Sequence, residues 1–204
     1  MLTLYQVKPT FQRCLRPLVQ RLARWGRSPN DITLLAIAVS GVGGLAIAVF
    51  PESPYPLLAL PGVLLLRLAL NAMDGLLARD YALTSDLGLV LNELGDVVAD
   101  VFLYLPWVLI PGINSTGIIA FVILALLTEF AGLLALVLTQ TRAYAGPMGK
   151  SDRALVFGIL ALGLGLGFLP GSLVNGIVVI LCALEAWTIT NRLRPALRGG
   201  EPWR

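Results

Sequence analysis

Residues 71–100 read NAMDGLLARDYALTSDLGLVLNELGDVVAD. Elsewhere the chain is dominated by Leu, Ala, Val, Ile and Gly. Here polar and acidic side chains recur at helical spacing on both sides of a short polar turn. Asn71 and Asp74 are three apart and share a helix face. Gly88, Asn92, Asp96 and Asp100 step by four and form one stripe on the next helix. A tight helical hairpin would bring the two stripes together as a pocket of oxygen ligands. Such a pocket suits a hard divalent cation such as Mg²⁺ or Mn²⁺. Gly75 and Ala78 leave room beside it, and Arg79 adds a positive charge at the rim.

The stretch resembles the signature of the CDP-alcohol phosphatidyltransferase family, D-x-x-D-G-x-x-A-R, eight residues, then G-x-x-x-D-x-x-x-D. Asp74, Gly75, Ala78, Arg79, Gly88 and Asp96 match in identity and spacing. Asn71 and Asn92 stand where the family has its first and third aspartates. Pro29, Asn30 and Thr33 also match a Pro-Asn-x-x-Thr sequence that the family often carries at the mouth of its first membrane helix.

The composition agrees with a membrane location. Of 204 residues, 57% are hydrophobic and 13% charged, and mean hydropathy is +0.82. A soluble domain would carry roughly 25% charged residues. Apolar runs reach the length of about 20 residues that crosses a bilayer. The expected architecture is all-α and polytopic, one domain over residues 1–204. Residues 1–28 hold an amphipathic juxtamembrane helix, read over 4–26, and 29–204 a six-helix bundle. The spans are expected near 31–50, 56–80, 87–111, 115–143, 151–169 and 172–194. Asn30 or Asp31 is a candidate cap for the first span, and Ser151 and Asp152 for the fifth.

In the N-terminal segment Phe11, Leu15, Leu18, Val19, Leu22 and Trp25 recur at helical spacing. Arg13, Arg16, Arg21 and Arg24 hold the polar side, a pattern suited to anionic lipid. A cleavable signal peptide is not expected, because this segment lacks a short apolar core and a small-residue cleavage site. Cys14 and Cys182 lie in unlike settings, so a disulfide is not expected. Apart from Arg67, every Lys and Arg falls at connections on one side. The positive-inside rule therefore puts both termini and the signature turn in the cytoplasm, as for a bacterial inner-membrane protein. No nucleic-acid partner is expected.

Ionisable groups at membrane depth are costly and are usually paired or functional. Arg67 lies one turn deeper than Asn71, and Asp100 one turn deeper than Asp96. An Arg67–Asp100 or Arg67–Glu129 ion pair bracing the site is the expected arrangement; Glu185 has no evident partner. The stretch YAGPMGKSDRALVFG holds Lys150 and Arg153, with Arg142 two residues before it, on the signature's side of the membrane. They are candidates for holding a phosphate on the acceptor, against the plainer alternative of a topology signal.

The resemblance implies a reaction: an alcohol attacks the β-phosphorus of a CDP-linked lipid such as CDP-diacylglycerol, and CMP leaves. It implies that Asp96 acts as general base. It implies that Asp74 is the surest metal ligand, with Asp96 and the amide oxygens of Asn71 and Asn92 completing the set, and that Gly75, Ala78, Arg79 and Gly88, with Pro29 and Thr33, line the nucleotide. It points to an acceptor that is often phosphorylated, of the glycerol 3-phosphate or inositol phosphate type, with unphosphorylated head groups also open, and to a homodimer. Two neutral residues at aspartate positions leave a second class open, a non-catalytic member that binds nucleotide-lipid or a membrane partner. A small transporter is weaker, because no acidic path continues across the membrane.

Overall fold

The computed structural model describes residues 8–199, which form seven α-helices and no strand. They are α1 (Lys8–Arg24), α2 (Pro29–Val49), α3 (Pro54–Asp80), α4 (Asp86–Tyr104), α5 (Ser115–Thr139), α6 (Lys150–Gly165) and α7 (Gly171–Gly199), with a 3₁₀ turn at Leu105–Leu109 after α4. The expected helical residues 4–7 lie outside the described residues, as do the outermost ends of the single domain.

Four helices, α2, α3, α5 and α7, are long and apolar enough to cross a membrane. The other two expected spans fall on α4 and α6. α4 is too acidic to meet that measure, carrying Asp86, Glu93, Asp96 and Asp100. α6 has 16 residues, which at 1.5 Å each is about 24 Å. α5 stops at Thr139, earlier than the span expected to run to 143, because Gln140 turns left-handed with φ +58°. α6 ends at Gly165 instead of 169, with Gly167 at φ +74° completing the turn.

Polar caps begin most of these helices. The cap of α2 is Ser28, two residues before the first expected candidate. Its hydroxyl accepts from Asp31 N (3.2 Å), while Ser28 N donates to Asp31 Oδ2 (2.9 Å). Asp31 is thus the other half of the capping box. Ser85 caps α4 by accepting from Gly88 N at 3.0 Å. α6 begins after Gly149, whose N–H donates to Asp152 Oδ2 at 2.9 Å, so of the two expected caps Asp152 serves.

α3 and α4 are not the tight pair that the short turn suggests. α2 packs against both, α3 packs on α6, and α5 on α7. Without a hydrophobic drive between helices in lipid, association rests on close packing of small residues. α2 supplies them: Ala36, Ser40 and Gly44 are buried. A Cβ at Gly44 would run into the carbonyl oxygen of Phe102 on α4, and one at Gly95 would lie 2.8 Å from Ile37 Cδ1. Glycine therefore lets α2 and α4 approach. α3 and α4 then meet through long polar side chains across a cleft.

One turn beyond Asp100, Tyr104, Trp107, Phe121 and Phe157 form an aromatic cluster. Phe157 is at its centre, with centroid distances of 4.5, 4.8 and 4.9 Å to the other three. Side chains such as Val42, Leu45, Leu65, Phe130 and Val179 are exposed on the perimeter, as a lipid-facing surface requires. α1 turns Leu15 and Val19 inward against Ile32, Leu70, Met73 and Leu77 of α2 and α3. Much of its apolar side is thus covered by protein, which modifies the expected surface helix, while Leu18 and Trp25 stay exposed.

Candidate active site

The site forms where the first turns of α2 and α4 meet the last turns of α3. Thr33 on α2 donates its hydroxyl to Asp74 Oδ2 at 3.0 Å. Asn71, one turn earlier on α3, donates from Nδ2 to Asp96 Oδ1 at 2.7 Å. Both carboxylates are buried, at 6% and 7% exposure. The Pro29 turn is fixed by the Ser28 cap, and Asn30 reaches towards α4. A Cβ at Gly88 would sit 3.0 Å from Asn30 Oδ1 and 3.1 Å from Ser85 Oγ. Arg79 folds back over Gly75, where a Cβ would meet its Nη1 at 3.1 Å. Ala78 and Asn92 are half-buried nearby.

A buried ionic network supports this front. Arg67 donates from Nη2 to the main-chain oxygen of Asp96 (3.0 Å), and its Nη1 pairs with Asp100 Oδ1 (2.6 Å). Of the two ion pairs expected for Arg67, the one with Asp100 forms. Glu129 instead meets Arg153 (2.8 Å), Arg142 (3.2 Å) and Arg192 (3.6 Å). Arg153 is the hub. Its side chain has 0% exposure and contacts Asp100 (2.8 Å), Glu129 (2.8 Å) and Glu185 (3.2 Å), tying α6 to α4, α5 and α7. Glu185 therefore does have a partner, and it also accepts from Thr128 Oγ1 at 2.6 Å.

The three basic residues expected to meet on an acceptor phosphate are arranged differently. Arg153 is enclosed among carboxylates. Arg142 pairs with Glu93 and Glu129. Lys150 places its ammonium on Asp96 Oδ2. Arg192, read in the sequence only as a topology marker, donates to Thr128 O at 2.6 Å as well as facing Glu129. Its seven-residue spacing from Glu185 puts both on one face of α7, a signal that could have paired them with the same cluster.

Among the described residues no three or more His, Cys, Asp or Glu side chains converge on a common point as metal ligands. Of the four expected ligands, Asn71 and Asp96 are in direct contact, Asp74 is held by Thr33, and Asn92 is half-buried on α4 one turn before Asp96. Two carboxylates fit one hard divalent ion that keeps waters and takes its remaining ligands from substrate phosphates.

Fold and site together define a helical membrane protein with buried carboxylates and a buried ionic network where α2, α3 and α4 meet. The CDP-alcohol phosphatidyltransferase family matches residues 27–189, and the chain belongs to that family. It is 44% identical over 198 residues to the inner membrane protein YnbA of Escherichia coli (strain K12), covering 96% of this chain and 97% of that protein. In fold it is similar to the phosphatidylinositol phosphate synthase PgsA1 of Mycobacterium tuberculosis. The crystal structure with CDP-DAG bound gives a TM-score of 0.72 at 19% identity, covering 90% of this chain and 94% of that one. The complex with manganese and citrate gives 0.71 at 18%, covering 91% and 90%.

Proposed function

We propose that this protein transfers a phosphatidyl group from a CDP-linked lipid, such as CDP-diacylglycerol, to an alcohol, releasing CMP. The observation that carries the proposal is the pair of hydrogen bonds Thr33–Asp74 and Asn71–Asp96, which tie the two buried signature carboxylates to α2 and α3. The acceptor hydroxyl approaches Asp96, which takes its proton as the oxygen bonds to the β-phosphorus. The bond from that phosphorus to the bridging oxygen breaks, and CMP carries that oxygen away. Asp74, Asp96, Asn71 and Asn92 would hold a divalent ion, which when bound neutralises the diphosphate. Mg²⁺ and Mn²⁺ both suit these ligands. Arg79, with Gly75, Ala78 and Gly88, borders the nucleotide, as do Pro29 and Thr33. Arg67 positions Asp96 by gripping its main-chain oxygen and the next acid on α4.

In this reading α4 and α6 complete six spans, and both termini face the cytoplasm of an inner membrane. Arg79, Arg142, Lys150, Arg153 and Arg192 all lie towards that end, in line with the positive-inside rule. A homodimer belongs to the same reading and rests on the family resemblance. A phosphorylated acceptor stays within this reading: Lys150 and Arg142 keep 26% and 13% exposure and would serve it, while Arg153 is enclosed among carboxylates.

The deciding experiment is CMP release from CDP-diacylglycerol by purified protein with Mg²⁺ or Mn²⁺ and a panel of alcohols. No release with any alcohol would favour a second reading, a non-catalytic member that binds nucleotide-lipid or a membrane partner. That reading draws on the neutral Asn71 and Asn92 and on Lys150 seated at Asp96.

A further inference from the structure

We infer that Lys150 and the divalent ion take turns on Asp96. The ammonium is the built-in counter-cation of that carboxylate and leaves it before the ion or the acceptor hydroxyl can use it. This rests on the metal-assisted reading proposed above and concerns this chain's own residues towards the ion.

Both oxygens of Asp96 are engaged. Oδ1 accepts from Asn71 Nδ2 at 2.7 Å, and Arg67 Nη2 lies 3.6 Å from the same atom. Oδ2 carries the Lys150 ammonium. A divalent ion on Oδ1 would displace the amide and lie against a buried guanidinium that Asp100 and the main-chain oxygen of Asp96 hold in place. A divalent ion beside the ammonium on Oδ2 would put two cations on one oxygen. Like charges at such range repel strongly where water does not screen them. Exchange at Oδ2 avoids both costs.

Lys150 can move, and the neighbouring cations cannot. Arg67 and Arg153 are buried, and each spans more than one acceptor oxygen. Lys150 keeps 26% exposure, and Asp96 is its one ion-pair partner among the described residues. An ammonium on a flexible four-carbon stem swings between paired and hydrated positions more readily than a guanidinium locked in a fork. The main chain around it is anchored. Met148 N donates to the buried Thr188 Oγ1 of α7 at 3.0 Å, and Gly149 N donates to Asp152 Oδ2 at 2.9 Å. The movement is therefore confined to the side chain. Seated, Lys150 gives a buried carboxylate the counter-charge that burial demands. Displaced, it leaves Oδ2 open.

The test needs no turnover. Lys8 and Lys150 are the only lysines in the chain, so K8R leaves one side-chain amine to follow. Full-length K8R protein in detergent is methylated with formaldehyde and cyanoborohydride. Modification of Lys150 is timed by mass spectrometry of its peptide, in EDTA and in saturating Mg²⁺ at matched ionic strength. It should be slow in EDTA and several-fold faster in Mg²⁺. With D96N added it should be fast and indifferent to Mg²⁺. In a second measurement, calorimetric titration should show K150Q binding Mg²⁺ tighter than the wild type by roughly tenfold, the worth of one charge-assisted hydrogen bond that no longer competes. A Lys150 rate that is the same with and without Mg²⁺ overturns the inference. So does a Mg²⁺ affinity that K150Q leaves unchanged or weakens. If neither wild type nor K150Q binds Mg²⁺, the exchange and the metal reading fall together. Absence of CMP release with every alcohol, beside a Lys150 rate that responds to Mg²⁺, would count against the transferase alone and leave the exchange standing.

Discussion

The Asn71 amide donates to Asp96 Oδ1 at 2.7 Å, joining α3 to α4 across the cleft. The family's signature has a carboxylate at position 71. Here a neutral donor holds the second carboxylate in place, and Lys150 neutralises its other oxygen. The front of the site is therefore held together by hydrogen bonds and one ammonium.

Asn71→Asp combined with Asn92→Asp should reverse that balance. Two anionic oxygens replace two neutral ones, so Mg²⁺ affinity by calorimetry should rise by about an order of magnitude or more. The same double variant in EDTA should melt below the wild type, because the Asn71–Asp96 hydrogen bond becomes a repulsion. Unchanged metal affinity would remove both positions from the metal shell.

Asp96→Asn should lower CMP release with a good acceptor by about 10²–10⁴, since an amide cannot take the hydroxyl proton. Size-exclusion behaviour should stay normal, because Arg67 still holds the main-chain oxygen of residue 96. Near-normal turnover would take Asp96 out of the base role.

Arg153→Ala is expected to damage the fold before it damages acceptor binding. It leaves Asp100, Glu129 and Glu185 facing one another in the interior. Loss of a buried partner costs about 3–5 kcal/mol. Arg153→Lys should recover only part of this, because a single ammonium cannot span three carboxylates in a fork. A stable Arg153→Ala protein with only a raised acceptor KM would contradict the hub role.

Gly44→Ala should destabilise by about 1–3 kcal/mol, as overpacking does, because its Cβ meets the Phe102 carbonyl. Gly62→Ala, with nothing within 4 Å of the added carbon, should be neutral or stabilising by about 0.5–1 kcal/mol. Thermal melts in the same detergent compare the two. Equal effects would mean that α2 and α4 are not held at that distance by Gly44.

The sequence by itself determined a good deal here. Apolar runs bounded by Ser, Asn and Pro fixed where the helices begin to within a few residues, but the span expected to run to 111 ends as α4 at Tyr104, where Pro106 tightens the chain into the 3₁₀ turn Leu105–Leu109. The spacing of Asn71, Asp74, Gly88, Asn92 and Asp96 determined which side chains share a face, because 3.6 residues per turn is a local property. The Arg67–Asp100 pair was legible for the same reason: each sits one turn below a signature residue. What only the tertiary structure decided is which helix faces which. In soluble helices a polar side marks the outside, but α2, α5 and α7 are apolar nearly all round, so no stripe announces the inward face. α2 could thus lie against both α3 and α4 without a signal in its hydropathy, its small residues being legible as contacts only once a neighbour is known. The pairing of Arg153 with Asp100, Glu129 and Glu185 depends on four helices meeting at one depth. Depth can be counted along each helix, but rotation about its axis is set by the packing of the others.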